Sequence, residues 1–202
     1  MTKLILVRHG ETEWNAARRF QGQSDVPLSE TGRQQARMLA ERFPADRVGA
    51  IYSSDLIRAR ETAEEIAKKF GCEIHLEPSL REMHFGQWEG LDYDEIVRRW
   101  PEEGAKLWPR PDLLRVPSGE TVQELQKRTM GIINRIISNE HGDETIVIVA
   151  HGAVIRSIIC AMLCIPLRCF WSIRQSNTAV NIVNYLEGQW FIESMNSTAH
   201  LA

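Results

Sequence analysis

The chain has 202 residues, of which 43% are hydrophobic and 25% charged, enough for one domain or a domain with a modest insertion. Its formal net charge is −3, so no overall basic field draws it to nucleic acid or anionic lipid, and any anion it binds must meet a local cluster. The apolar runs are too short to cross a bilayer and no charged n-region with a following h-region opens the sequence, so the expectation is a cytoplasmic protein with no membrane and no nucleic-acid partner.

The first element is "KLILV" (3–7), a continuous apolar run of the kind that forms a strand buried on both faces. It runs straight into Arg8-His9-Gly10-Glu11, then a polar loop through Asp25 and Pro27. Ser29 is placed to cap the helix "ETGRQQARMLAERF". "GAIYSS" (49–54) is the second strand. Ser54 is expected to cap the helix "DLIRARETAEEIAKKF", whose apolar stripe is Leu56, Ala59, Ala63, Ile66, Ala67 and Phe70. "CEIHLE" (72–77) reads as a short strand and "DYDEIVRRW" (92–100) as a helix. Residues 101–119 hold four prolines and are expected to be irregular. Thr121 and Glu124 have the T-x-x-E form of a capping box and open a helix to about residue 140. "TIVIVA" (145–150) is a second strongly buried strand, again followed by His-Gly, and "GAVIRSIICAMLC" is an apolar helix. "AVNIVNYLE-GQ-WFIESM" reads as two strands about a tight turn.

This order predicts an α/β fold: a three-layer sandwich, with a mainly parallel sheet, helices on both faces and an antiparallel edge. The whole chain is expected to be a single domain, with 78–119 as a cap or insertion over one end of the sheet. Ligands in open α/β sheets sit at the carboxyl ends of strands. Arg8, His9 and His151 fall at such ends, as do the helix turn with Arg58 and the segment with Glu82. Two guanidiniums suit an oxyanion with several equatorial oxygens, and a helix N-terminus adds N–H donors. A histidine held as N–H through one ring nitrogen can attack through the other, and a carboxyl can protonate the leaving oxygen. The set points to phosphoryl chemistry without a metal.

Arg8-His9-Gly10-Glu11-Thr12 with Trp14-Asn15 resembles the signature of the histidine phosphatase superfamily, which includes cofactor-dependent phosphoglycerate mutase. "DVPLSETGRQQA" (25–36), "SSDLIRARETA" (53–63), "LREMHFGQWEG" (80–90), "PSGET" (117–121) and "VAHG" (149–152) each resemble a family block, in family order. The resemblance implies a phosphoglycerate mutase-like fold. It implies His9 as the nucleophile that becomes phosphohistidine, and Arg8, Arg58 and His151 as holders of the phosphoryl oxygens. Asn15 would lie at the pocket wall, with Gln21, Gly22 and Gly152 against the substrate. Glu82 would be the proton donor and later the base that activates water. No metal or other cofactor is implied, and no H-E-x-x-H pair is visible.

Mutases of this kind typically carry Glu-Arg-His-Tyr-Gly where this chain has Glu82-Met83-His84-Phe85-Gly86. The guanidinium and the hydroxyl that help hold a substrate carboxylate are both gone. The block Phe85-Gly-x-Trp-Glu-Gly90, "PSGET" and the tail "NSTAHL" are similar to α-ribazole phosphatases and broad-specificity phosphatases. The expected activity is therefore hydrolysis of a small phosphomonoester such as α-ribazole phosphate. The alternatives are a phosphoglycerate mutase and a phospho-ligand binding or regulatory protein, the latter opposed by the intact His9, Arg8, Arg58, Glu82 and His151.

Other residues receive plainer expectations. Arg60 and Glu61 face solvent or pair along their helix, His84 lies at a rim, His75 on an exposed strand position, and His141 at a helix end. Cys160 and Cys164, four apart, read as small hydrophobes on one buried helix face rather than a metal site or a disulfide. Trp171 and Trp190 are assigned to the core, and Trp14, Trp88 and Trp108 to the leaving-group pocket.

Overall fold

β1 (Thr2–Arg8) occupies the middle of a six-stranded sheet in a computed structural model that describes residues 1–139 and 144–202. Its neighbours are β4 (Thr145–Ala150), which is parallel, and β5 (Val180–Leu186), which is antiparallel. The remaining strands are β2 (Ala50–Ser53), β3 (Ile74–Leu76) and β6 (Gln189–Ser197), giving the order β3-β2-β4-β1-β5-β6. β3, β2, β4 and β1 run parallel, and β5 with β6 makes the antiparallel edge. The mixed α/β architecture expected from the sequence is therefore present. The β5–β6 turn places Glu187 and Gly188 at φ of 50° and 82°, as a two-residue I′ hairpin requires.

Both faces of the sheet are buried, which explains the unbroken apolar run of β1. Leu4 and Leu6 pack on one side with α6 (Val122–Asn139) and α7 (Gly152–Met162). Ile5 and Val7 pack on the other with α2 (Glu30–Glu41) and α3 (Ile57–Phe70). Alternate side chains of one strand thus feed two separate cores. A four-residue helix, α1 (Glu13–Ala16), follows β1 and is opened by a Thr12–Asn15 capping box. The segment between β3 and α6 buries Leu80, Met83, Phe85, Trp88, Ile96, Leu107, Leu114 and Val116 in the α6–α7 core.

Local rules account for most boundaries. Ser29 caps α2 by accepting from Gly32 N–H. Asp92 and Glu95 form a capping box on α4 (Tyr93–Arg99), and Thr121 with Glu124 forms one before α6. Two expectations need correction. The proline-rich stretch is not irregular throughout: Pro101 sits at the start of α5 (Pro101–Lys106), where its missing N–H costs nothing. Ser54 does not cap α3. The helix begins at Ile57, whose N–H goes to Asp25 Oδ1 at 2.7 Å, and Ser54 serves His151 instead.

Cys160 is buried as expected, but Cys164 lies beyond the end of α7, exposed and at φ 53°, so the two do not share a buried face. His75 is exposed and stacks on Tyr52 at 5.0 Å. Arg60 pairs with Glu64 along the helix, whereas Glu61 reaches across to the Leu28 N–H. The expectation for His141 lies outside the described residues. No helix among the described residues is long and apolar enough to cross a membrane.

Candidate active site

The carboxyl ends of β1, β2 and β4 open onto one cavity of about 170 Å³. Its walls include Arg8, His9, Asn15, Gln21, Gly22, Arg58, Glu82 and Gly152, eight of the nine residues expected at the site. The ninth, His151, stands directly behind the wall. Its ring packs edge-on against His9 with centroids 5.1 Å apart. Four separate parts of the chain, after β1, in α3, after β3 and at the start of α7, therefore converge.

His9 is not the exposed strand-end residue its position suggests; only 2% of it is accessible. Its Nδ1 lies 2.6 Å from the Gly10 carbonyl oxygen. A carbonyl can only accept, so the Nδ1 carries the proton and donates, leaving the Nε2 lone pair free. Burial, and then the Arg58 and Arg8 charges, hold the ring well below its usual pKa. It is neutral at neutral pH, the form a nucleophile needs.

His151 is fully buried, and its pKa is lowered by burial first and then by Arg58. Its Nε2 lies 2.9 Å from Ser54 Oγ. That hydroxyl also accepts the Leu56 N–H at 3.3 Å. The His151 Nδ1 is buried with no hydrogen-bond partner among the described residues. The sequence reading gave Ser54 to α3, whereas its hydroxyl meets a histidine of the candidate site.

The two arginines are anchored at one end and open at the other. Arg58 donates from Nη1 to Ser24 O at 2.9 Å and from Nη2 to Gly22 O at 2.7 Å, and Arg8 from Nη1 to Gln175 O at 2.6 Å. The Nε of each is buried without a hydrogen-bond partner among the described residues. Burial pushes the Arg58 pKa down to about 10, so it stays cationic at neutral pH. Two buried guanidinium donors left unpaired beside one neutral imidazole suit an anion, because each costs stability unless an acceptor reaches it.

The loop that holds Arg58 is itself fixed by Glu89. Its carboxylate accepts from the N–H groups of Gln23, Ser24 and Phe85 at 2.9–3.2 Å. Gly22 sits at φ +53° with that carboxylate packed where a Cβ would stand, so glycine is needed there. Asn15 Oδ1 accepts from the Thr12 N–H and from Asn177 Nδ2, and Gln21 Oε1 accepts from the Thr12 hydroxyl.

Glu82 accepts from Met83 N–H at 2.9 Å and from Ala153 N–H, in the first turn of α7, at 3.2 Å. Its main chain is held by Arg128 of α6, whose guanidinium donates to Ser79 O, Arg81 O and Glu82 O and pairs with both oxygens of Glu120. Neither Arg128 nor Glu89 stood out in the sequence. Also missed were Arg19, Phe20 and Arg156 in the cavity wall. For Arg156 a signal existed: it is the one charged residue in an otherwise apolar helix, "GAVIRSIICAM".

The tryptophans are redistributed. Trp88 is in the core, Trp108 and Trp171 line the cavity, and Trp14 packs over Gly90. Met83 is fully buried away from the cavity, and Phe85 forms part of its wall. Among the described residues no three His, Cys, Asp or Glu side chains gather as a metal site would require.

The model of the histidine phosphatase superfamily (branch 1) matches residues 4–198. The chain belongs to this family. It is an enzyme of the phosphatase type. It is 38% identical to the probable phosphoglycerate mutase GpmB of Photorhabdus laumondii, over all of this chain and 95% of the relative. It is 37% identical to a metal-independent phosphoserine phosphatase of Arabidopsis thaliana, over all of this chain and 84% of the relative. Among solved structures, Bacillus stearothermophilus YhfR superposes with a TM-score of 0.95 at 36% identity, each chain covered in full. The fold and family expected from the sequence both stand.

Proposed function

We propose that this chain is a metal-independent phosphomonoesterase that hydrolyses a short-chain organic phosphate through a phosphohistidine on His9. The observation that carries the reading is the pair of unpartnered donors, Arg8 Nε and Arg58 Nε, with the unpartnered His151 Nδ1, around an imidazole whose free nitrogen is Nε2. These donors hold the phosphoryl oxygens. His9 Nε2 attacks phosphorus as the P–O ester bond breaks, and the leaving oxygen takes a proton from Glu82. Water then attacks the phosphohistidine, giving its proton to Glu82, and the P–N bond breaks with its electrons returning to Nε2. The positive cluster stabilises charge on the equatorial oxygens in both steps.

The size of the cavity bears on the substrate. About 170 Å³ is well below the roughly 300–1,000 Å³ of pockets that enclose drug-sized ligands. It favours a phosphate with a leaving group of a few carbons over a nucleoside-sized one such as α-ribazole phosphate. A mutase reading has the name of a relative in its favour, and differs only in whether water or a second phosphoglycerate takes the phosphoryl group. A binding protein with little turnover would have no use for Glu82.

The test is hydrolysis of a panel of phosphomonoesters in excess EDTA. Full activity is expected, with competitive inhibition by phosphate and vanadate, because arginines supply the charge a metal would bring. Activity lost on chelation and restored by Mg²⁺ or Zn²⁺ would overturn the proposal. Phosphoryl transfer to added phosphoglycerate in preference to water would select the mutase.

Arg58 and Arg60 are two residues apart and should behave in opposite ways. Arg58→Ala is expected to lower kcat on the order of 10²–10³, the usual loss for one donor to transition-state charge. It should also lower stability by about 1–3 kcal/mol, since two loop carbonyls lose their donor. Arg60→Ala removes only an exposed ion pair and should leave kcat within about twofold. Steady-state kinetics on both variants decides this, and equal losses would mean that Arg58 does not reach the phosphate.

A further inference from the structure

Four guanidiniums and a single carboxylate line the cavity. A phosphate ester dianion accounts for two positive charges, and the phosphate set described above uses Arg8 and Arg58. Arg19, at the rim, is occupied by Glu95 and the Gly90 carbonyl. Arg156 remains. It is half-buried on α7, and its one side-chain hydrogen bond among the described residues runs from Nε to Ile173 O at 2.7 Å. No carboxylate lies within ion-pair distance of it among the described residues. Burial lowers its pKa to about 10, with Arg8 adding to the effect and Glu82 partly opposing it, so it is cationic at neutral pH.

The guanidinium is also held in place. The Trp171 ring lies 5.1 Å from its Cζ, and Trp108 packs 5.1 Å from Trp171. Its Nη1 crosses the first turn of α7, 2.8 Å from where a Cβ on Gly152 would stand, and Arg8 Nε lies 3.5 Å from that same point. The free end of Arg156 therefore sits beside the phosphate set without belonging to it. A second unpaired donor, the buried Trp171 Nε1, belongs to the same wall.

We infer that Arg156, fixed against Trp171, forms a subsite for a carboxylate on the leaving group, so that the preferred substrates are short phosphorylated carboxylic acids. A planar fork with Nε anchored leaves its other nitrogens to a planar anion. The short separation from Arg8 puts that anion a few bonds from the ester oxygen, in keeping with the small cavity. The sequence placed loss of carboxylate recognition at Met83 and Phe85, but Met83 is in the core, and this cation comes from a different element. The inference rests on the phosphatase reading for its substrate.

The test compares 3-phosphoglycerate with glycerol 3-phosphate, in which a hydroxymethyl group replaces the carboxylate. Wild type should favour the acid in kcat/KM by about 10- to 150-fold, the range of a charge-assisted hydrogen bond. In Arg156→Met that ratio should fall towards one, and Arg156→Lys, which keeps the charge and loses the fork, should lie between. A wild-type ratio near one overturns the inference, as does a high ratio that survives in Arg156→Met. If neither variant folds, crystals of the wild type soaked with 3-phosphoglycerate decide, by whether the carboxylate lies on Arg156. Absence of any turnover, p-nitrophenyl phosphate included, indicts the phosphatase reading instead. Calorimetric binding of the two ligands to wild type and Arg156→Met then still reads the subsite.

Discussion

His9→Ala is expected to abolish turnover, with a loss on the order of 10⁴–10⁶ in kcat, as for removal of a covalent nucleophile elsewhere. The fold should survive. The His9 ring sits against the cavity and the His151 edge rather than in either apolar core, and its one side-chain hydrogen bond among the described residues is to the adjacent Gly10 carbonyl. Wild type quenched during turnover should carry an acid-labile, base-stable phosphoryl group, and His9→Ala should carry none. Acid-stable labelling, or near-normal kcat in the variant, would remove His9 from the mechanism.

The same substitution has a consequence for acid stability. His9 and His151 are both held below their ordinary pKa, so below about pH 6.5 the unfolded chain binds protons that the folded chain does not. Each ring therefore makes stability fall as pH drops through that range. Removing His9 should make the loss between pH 7 and 5 shallower.

The parts of the fold that local chemistry dictates were legible. The unbroken apolar run of β1, the Ser29 cap and the Thr121–Glu124 box each act over a few residues, and each stands where the sequence puts it. The candidate site was legible in part because three of its groups stand at strand ends, which fixes where Arg8, His9 and His151 go. Supporting groups were not legible, since their roles depend on partners far away in sequence. Ser54 looks like a helix cap until His151 is brought beside it. Glu89 looks like an exposed acid until the loop at 22–24 folds onto it. Trp171 and Trp88 exchange places for the same reason: an aromatic residue in a loop-rich stretch carries no period to say which way it faces.

Glu82→Gln separates the proton donor from the rest of the site by means of the leaving group. A general acid matters in proportion to the basicity of the oxygen it protonates. An alkyl phosphate expels a strongly basic alkoxide, whereas p-nitrophenyl phosphate expels a weakly basic phenolate. In the proposed mechanism Glu82 supplies that proton to the leaving oxygen. Gln cannot donate that proton, and it cannot accept both the Met83 and the Ala153 N–H as the carboxylate does, so one amide is left facing an N–H. Some misplacement is therefore common to both substrates, and only the difference between them reports on proton transfer. For alkyl phosphates the rate of His9 phosphorylation should fall on the order of 10²–10⁴. For p-nitrophenyl phosphate the loss should be at least tenfold smaller, on the order of 10. Steady-state kcat conceals this if dephosphorylation limits, because Glu82 is then needed as the base. The measurement is the single-turnover rate, followed as the phenolate burst for one substrate and by rapid quench for the other. Equal losses in that first turnover would mean that Glu82 positions α7 through Ala153 and that the proton comes from another group.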